Sequence, residues 1–432
     1  MLATIAKPAY LVLQDGTVFK GEAVGKIGTT SGEIAFNTSM TGYQEVFTDP
    51  SYFGQIIVMT NNHIGNYGAN EMDMESDGIK INGLVCKKFS NKFSRKMEST
   101  SLDSYFMDNE LVGISEIDTR QLVRHIREKG AMNGVISSEI EDINTLKKMV
   151  SECPDMSGLE LASRVSTEEF YTMGESSAPL KVALMDYGTK KNIAQSLVNR
   201  GCFVGLFPAE TKASEVLAWG ADGIMLSNGP GDPSVMDYAI DNIKELVASG
   251  TPIFGICLGH QLLSLASGLS TYKMHHGHRG SNHPVKNVIS GRSEITAQNH
   301  GFAVKFDEAA AAEIELTHVN LNDDTVEGIR LKNKPAFSVQ HHPESNPGPH
   351  DSWYLFDDLV QNLKHGHGPN RGTARCVWRI FKGIPFFIVG QAAGLATDIT
   401  NLPGIAQLKS ELKLAVSMAG MVTGQALRVV LY

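Results

Sequence analysis

Residues 252–268 read PIFGICLGHQLLSLASG, an apolar run that ends at Cys257 with Gly255 and Gly259 two positions away on either side. This is the G-x-nucleophile-x-G pattern with a thiol as the nucleophile. The turn from strand to helix is so sharp that side chains at the two flanking positions would collide, and glycine removes the collision. The cysteine then stands at a strand end with a helix N-terminus beneath it, where the positive end of the dipole favours thiolate. The backbone N–H of Leu258 points to where an oxyanion would form. The competing reading is a buried structural cysteine, which free cysteines often are. Cys86 and Cys202 fit that reading, and the paired glycines set Cys257 apart.

A thiolate needs a base, and the base needs a group to orient it. The segment FSVQHHPES (337–345) supplies both. Phe337–Gln340 reads as a strand that delivers His341 and His342 to its end, with Glu344 two positions past His342 across Pro343. The carboxylate can fold back on the imidazole, hold one tautomer and stabilise imidazolium. The two histidines point to opposite sides, so only one can face the cysteine.

The elements that must position these groups change character along the chain. Residues 1–150 read as a β-rich N-terminal domain, opening with a hairpin about Asp15-Gly16. One helix is expected over 118–130, capped by Asp118 and stopped by Gly130. Residues 151–180 read as a linker, centred on Ser176–Pro179. From 181 to 367 strands and helices alternate, which predicts an α/β domain with a mostly parallel central sheet. Its sites belong at the carboxyl ends of the strands. Both SNGPGDP (227–233) and GICLGH (255–260) fall at such ends. Residues 368–432 form an apolar, glycine-rich extension, including Cys376, to which no role is assigned.

Composition narrows the partners. The chain has 432 residues, 42% hydrophobic and 20% charged, with a net charge of -9. That charge argues against nucleic acid or an anionic membrane as the main partner. The basic stretch KKFSNKFSRK (87–96) reads as a solvated edge. Five scattered cysteines suit a reducing, cytoplasmic setting and show no zinc spacing. The first residues read as the start of a strand, not as a signal peptide. No apolar run reaches membrane-spanning length. HHGHRGSNH (275–283) invites a metal reading, but no carboxylate or cysteine lies at ligand spacing, and no metal is expected. No GxxxxGK[ST] stretch occurs, so ATP binding is not expected on this chain.

SNGPGDP, GICLGHQLL and HHPES, in that order, resemble the triad-type (class I) glutamine amidotransferases. FNTSMTGYQEVFTDPSY (36–52), DTRQLVRHIREKGAMNGVI (118–136), GHRGSNHPV (277–285) and QNHGFAV (298–304) are similar to the small subunits of glutamine-dependent carbamoyl-phosphate synthetases. The resemblance spans residues from about 9 to 365. It implies Cys257 as nucleophile, His342 as base and Glu344 as its partner. His341 stands where the family most often has an aromatic or small residue. It further implies a glutamine pocket of Ser39, Gly229, Gly231, Leu258, Gln261, Asn299, Gly301 and Phe302. Ser39 rests on the resemblance alone. For the rest, a zwitterionic amino acid needs hydrogen bonds to both α-groups, which backbone and amide groups supply without burying a full charge. Gly229 and Gly231 would let the loop backbone approach the substrate, and an N–H near Gly231 would be a second oxyanion donor.

The resemblance implies hydrolysis of L-glutamine through a γ-glutamyl thioester, with ammonia passed to a large subunit that makes carbamoyl phosphate from bicarbonate and ATP for pyrimidine or arginine biosynthesis. No cofactor is expected on this chain, ATP and magnesium belonging to the large subunit. The N-terminal domain shows no catalytic constellation, and docking to that partner is its expected task. Three rivals are weaker. A glutaminase of anthranilate or GMP synthesis, or a free-standing γ-glutamyl hydrolase or cysteine peptidase, leaves the N-terminal domain unexplained. A module that has lost activity does not fit an intact Cys257, His342 and Glu344.

Overall fold

The computed structural model describes residues 7–95, 100–307, 309 and 312–365. The C-terminal extension lies outside the described residues. Strands β1 (Pro8–Leu13), β2 (Val18–Gly25), β3 (Thr29–Asn37), β4 (Gln55–Met59), β5 (Gly83–Val85), β6 (Val112–Ser115) and β7 (Asn133–Ser137) close a barrel in the order β1-β2-β6-β5-β4-β3-β7. The β1–β2 hairpin turns about Asp15-Gly16 as its sequence demands. Inside the barrel Leu11, Ile34, Ile56, Val58, Ile114 and Ile136 pack together.

Helices α1 (Tyr43–Thr48), α2 (Leu102–Asp108), α3 (Thr119–Lys129) and α4 (Ile143–Ser151) accompany the barrel. Asp118 caps α3 by accepting from the Gln121 N–H at 2.9 Å, and Gly130, at φ 99°, ends it. α4 occupies a stretch that reads as polar. Asp142 caps it, and only Leu146 and Val150 are buried, against Val12 and Val135.

The second sheet comprises β8 (Tyr171–Met173), β9 (Leu180–Asp186), β10 (Cys202–Pro208), β11 (Gly223–Leu226), β12 (Ile253–Ile256), β13 (Ser270–Asn287), β14 (Ser293–Lys305), β15 (Ile314–Asn320), β16 (Val326–Leu331) and β17 (Ala336–Val339). Its order is β14-β13-β15-β16-β17-β12-β11-β9-β10-β8. The central five strands, β10-β9-β11-β12-β17, are parallel. Helices α5 (Lys191–Val198), α6 (Ala213–Ala218), α7 (Asp237–Ser249), α8 (Leu258–Ala266) and α9 (Tyr354–His365) belong to this domain. Two apolar clusters sandwich the parallel strands, one built on Ile224, Ile243 and Leu262, the other on Phe254, Leu197 and Phe356. Within the stretch read as a linker, residues 171–173 form an edge strand of this sheet, antiparallel to β10.

The parallel strands bring their carboxyl ends to one edge, as this topology requires. β12 and β17 are neighbours, with Ile256 opposite Val339, so the chain leaves both strands at the same level. Cys257 and the 340–344 segment are thereby placed side by side.

Candidate active site

Cys257 sits between β12 and α8 at φ 53° and ψ −101°, a conformation that a non-glycine residue adopts only under strain. The flanking glycines are required by backbone, not by movable side chains. A Cβ on Gly255 would lie 2.7 Å from the Gly259 carbonyl oxygen, and one on Gly259 would lie 2.3 Å from that of Leu226. The thiol is 3% exposed. Gln340 donates to its sulfur at 3.5 Å, and Gln261 in turn donates to Gln340 Oε1 at 3.1 Å and to the Phe302 carbonyl at 2.8 Å.

His342 follows β17. Its Nδ1 lies 2.7 Å from Glu344 Oε1, and both side chains are buried. Burial alone would strip the proton from this imidazole. The adjacent Glu344 carboxylate, helped by the Cys257 side chain, outweighs burial and raises the His342 pKa to about 9. Nε2 has no partner at ordinary hydrogen-bond geometry, and it is the ring nitrogen left for the thiol once Nδ1 is held by Glu344. His341 is turned away: its Nδ1 lies 3.7 Å from Glu327, and its ring packs against His318.

A third charge completes the array. Lys190, the N-cap residue of α5, places Nζ 2.7 Å from the same Glu344 Oε1 and is itself buried. Burial works against both ionised forms. Even so, Lys190 and His342 pull the Glu344 pKa down to about 2, while Glu344, Asp49 and Glu75 hold Lys190 protonated. Lys190 is absent from the sequence reading. A lysine followed by Lys191 looks solvated, and its only signal was its place in the loop that follows a parallel strand.

The N-terminal domain reaches into this array. Asn299 Nδ2 donates to Asp49. Ser39 Oγ lies 2.7 Å from Ser281 Oγ, and Asn228 Nδ2 donates to Ser51 Oγ at 2.8 Å. Glu75 accepts from the Lys191 N–H through its carbonyl and from the Asn192 N–H through its carboxylate. Burial raises the Glu75 pKa to about 7. Ser39, Asp49, Lys190, Asn299 and His342 line one cavity between the domains. The first domain therefore supplies walls and charges to this cavity.

The remaining sequence candidates lie close by but outside that cavity lining. Leu258 opens α8, and its side chain joins the core. Phe302 packs with Met156 and Leu161, and Gly301 adjoins Arg279. Neither Gly229 nor Gly231 leaves room for a side chain. A Cβ on Gly229 would stand 2.0 Å from the Tyr187 carbonyl oxygen, and one on Gly231 2.7 Å from that of Leu159. The protein's own backbone fills the space on that side of each glycine.

Among the described residues no helix is long and apolar enough to cross a membrane. The chain matches two family models: "Glutamine amidotransferase class-I" over residues 183–362, and "Carbamoyl-phosphate synthase small chain, CPSase domain" over residues 11–136. The carbamoyl phosphate synthase small chain of Chlorobaculum tepidum is 53% identical over 363 residues, 83% of this chain and 99% of that one. The small chain of Escherichia coli K12 is 47% identical over 375 residues, with 83% and 98% covered. A solved glutamine amidotransferase from Thermotoga maritima is 16% identical, with a TM-score of 0.31 over 43% of this chain and 86% of that one. With both domains matched, and with relatives near half identity along almost their whole length, the chain belongs to the carbamoyl-phosphate synthase small chains and carries their class-I glutamine amidotransferase domain.

Proposed function

We propose that Cys257, His342 and Glu344 hydrolyse the side-chain amide of L-glutamine, and that the ammonia passes to a large subunit that builds carbamoyl phosphate. As a small chain of this synthase the protein is its glutaminase subunit. The Cys257 thiolate attacks the amide carbon, and the carbonyl becomes an oxyanion beside the N–H of Leu258 and an N–H of the Gly231 loop. His342 gives its Nε2 proton to the leaving nitrogen, so ammonia departs and a γ-glutamyl thioester remains. Neutral His342 then takes a proton from water, whose oxygen attacks the thioester carbon. The C–S bond breaks and glutamate leaves. Glu344, fixed by Lys190, keeps the imidazole aimed and stabilises its charged form. Ser39, Gln261, Asn299, Gly301 and Phe302, with the 229–231 backbone, hold the substrate's α-groups.

The observation that carries this reading is the charged relay Lys190–Glu344–His342 ending at a strained cysteine on a helix N-terminus. The reaction uses no cofactor on this chain, and ATP and magnesium serve the large subunit. Free thiols at Cys86, Cys153, Cys202 and Cys257 support a cytoplasmic location.

The test is Cys257→Ser in the reconstituted two-subunit complex. Glutamine-dependent carbamoyl phosphate synthesis should disappear while synthesis from added ammonia survives. Loss of both activities, with the complex still assembled, would make Cys257 a structural residue instead.

A further inference from the structure

Behind the 299–302 segment lies a second buried cluster that the glutaminase reaction does not use. His278 on β13, His300 on β14 and Glu327 on β16 each offer a donor atom, all within 4.8 Å of one another. All three residues are buried, Glu327 completely. The carboxylate that the 275–283 segment lacks locally is brought to it by a distant strand, so ligand spacing in the sequence could not reveal it.

The hydrogen bonds around the cluster are those of metal-ligating histidines, whose second nitrogen is normally held by a carboxylate or backbone carbonyl. His278 Nε2 lies 2.9 Å from Asp323 Oδ2, and His300 Nδ1 lies 2.8 Å from the Phe302 carbonyl. With those nitrogens as donors, His278 Nδ1 and His300 Nε2 present lone pairs. His278 Nδ1 is 3.6 Å from Glu327 Oε1, and a long 3.4 Å contact from Asn320 approaches it. A tetrahedral zinc with bonds of about 2.0–2.1 Å keeps its ligand atoms roughly 3.4 Å apart, so this spacing suits one.

Two further observations point to a cation site. Glu327 Oε1 accepts from Gln298 and Asn320 at 2.8 Å each, and the second carboxylate oxygen is buried with no hydrogen-bond partner, 3.7 Å from His341 Nδ1. His300 Nε2 faces Gln298 Oε1 at 2.7 Å, although Nδ1 already faces a carbonyl, and a neutral imidazole has a single N–H for two acceptors. Gln298 is not free to turn its amide, since its Nε2 donates to Glu327 Oε1 at 2.8 Å. A cation between these groups would take the lone pairs of His300 Nε2 and Gln298 Oε1 together. Asp323, 41% exposed at its side chain, marks the solvent end of the cluster and a route of entry.

We propose that His278, His300 and Glu327, with Gln298 as fourth donor, form a structural site for one divalent cation of the zinc type, which suits imidazole and carboxylate donors. The cation would tie β13, β14 and β16 together directly behind Asn299 and Phe302.

The experiment is zinc retention by the full 432-residue chain. Metal-free protein is dialysed against Zn²⁺, washed and assayed by elemental analysis, and Co²⁺ is substituted to read its visible absorption. The wild-type chain should keep close to one zinc and give the spectrum of a low-coordinate nitrogen–oxygen site. Glu327→Gln and His278→Gln, checked by circular dichroism, should each reduce retention at least tenfold and abolish the Co²⁺ bands. A wild-type chain that keeps no zinc overturns the proposal on its own, whatever the variants do; it would leave a hydrogen-bonded imidazolium–carboxylate cluster. Retention in folded Glu327→Gln equal to wild type would also overturn it, by placing the metal elsewhere.

Discussion

His342 takes its basicity from Glu344, and Glu344 takes its low pKa from Lys190, so the three groups titrate as a set. Lys190→Met leaves the fully buried Glu344 with His342 as its remaining close cation. Breaking a buried pair by removing one partner costs about 3–5 kcal/mol, and denaturant unfolding should show a loss of that order. Glutaminase turnover should fall with it, by about 10²-fold or more, because a mispositioned imidazole loses the advantage of general acid–base catalysis. A variant with wild-type stability and turnover would remove Lys190 from the array. The pH dependence has a definite sign. Folding raises the His342 pKa from the ordinary 6.5 to about 9, so the folded chain holds a proton that the unfolded chain releases between those values. The stability from this charge is complete below about pH 6.5 and is lost as pH climbs through 9. His342→Asn should therefore flatten the decline of melting temperature with pH across that window, while an unchanged slope would assign the decline to other groups.

The β12–α8 turn was legible in the sequence because its demand is local. A strand-to-helix turn this tight needs glycine two positions before and after its apex, and Gly255-Ile256-Cys257-Leu258-Gly259 spells that out. Gly259→Ala should be severe, since its Cβ would meet the Leu226 backbone, which cannot rotate away. Overpacking of this kind costs about 1–3 kcal/mol when side chains can yield. Here the loss should reach or exceed that range in chemical denaturation, with glutaminase activity reduced in the folded fraction. Full stability in the alanine variant would contradict the geometry of the turn. Asp118 as cap of α3, and the Asp15-Gly16 hairpin, were legible for the same reason. Other elements were not. α4 buries only two side chains, and its apolar period is drowned by Asn144, Lys147 and Lys148. β8 is three residues long and half exposed, and only its pairing with β10 makes it a strand. Lys190 and the Glu327 cluster depend on contacts between segments far apart in the chain, to which local spacing is blind.

The two domains meet through charge as well as shape. Glu33 of the barrel accepts from Gln55 at 2.9 Å and pairs with Lys273 of β13 at 2.8 Å, with Arg279 at 3.8 Å. Asp49 lines the same cavity as Lys190, Asn299 and His342. Its Oδ1 accepts from the Ser51 N–H, which fixes the carboxylate, and its Oδ2 accepts from Asn299 while its charge helps keep Lys190 protonated. One carboxylate of the N-terminal domain thus holds Asn299 of β14 and acts by its charge on Lys190. This predicts a separation that a pure docking role would not give. Asp49→Asn keeps the shape and the Ser51 turn but removes the charge from Lys190 and weakens the hold on Asn299. Glutamine hydrolysis in the two-subunit complex should fall about tenfold, matching the roughly 1.4 kcal/mol expected of one charge-assisted hydrogen bond. Ammonia-dependent synthesis and co-purification of the large subunit should be unchanged, since neither uses the interior of the interface. Equal loss of ammonia-dependent and glutamine-dependent activity would return the N-terminal domain to docking alone. Loss confined to glutamine would make the barrel a working wall of the glutaminase.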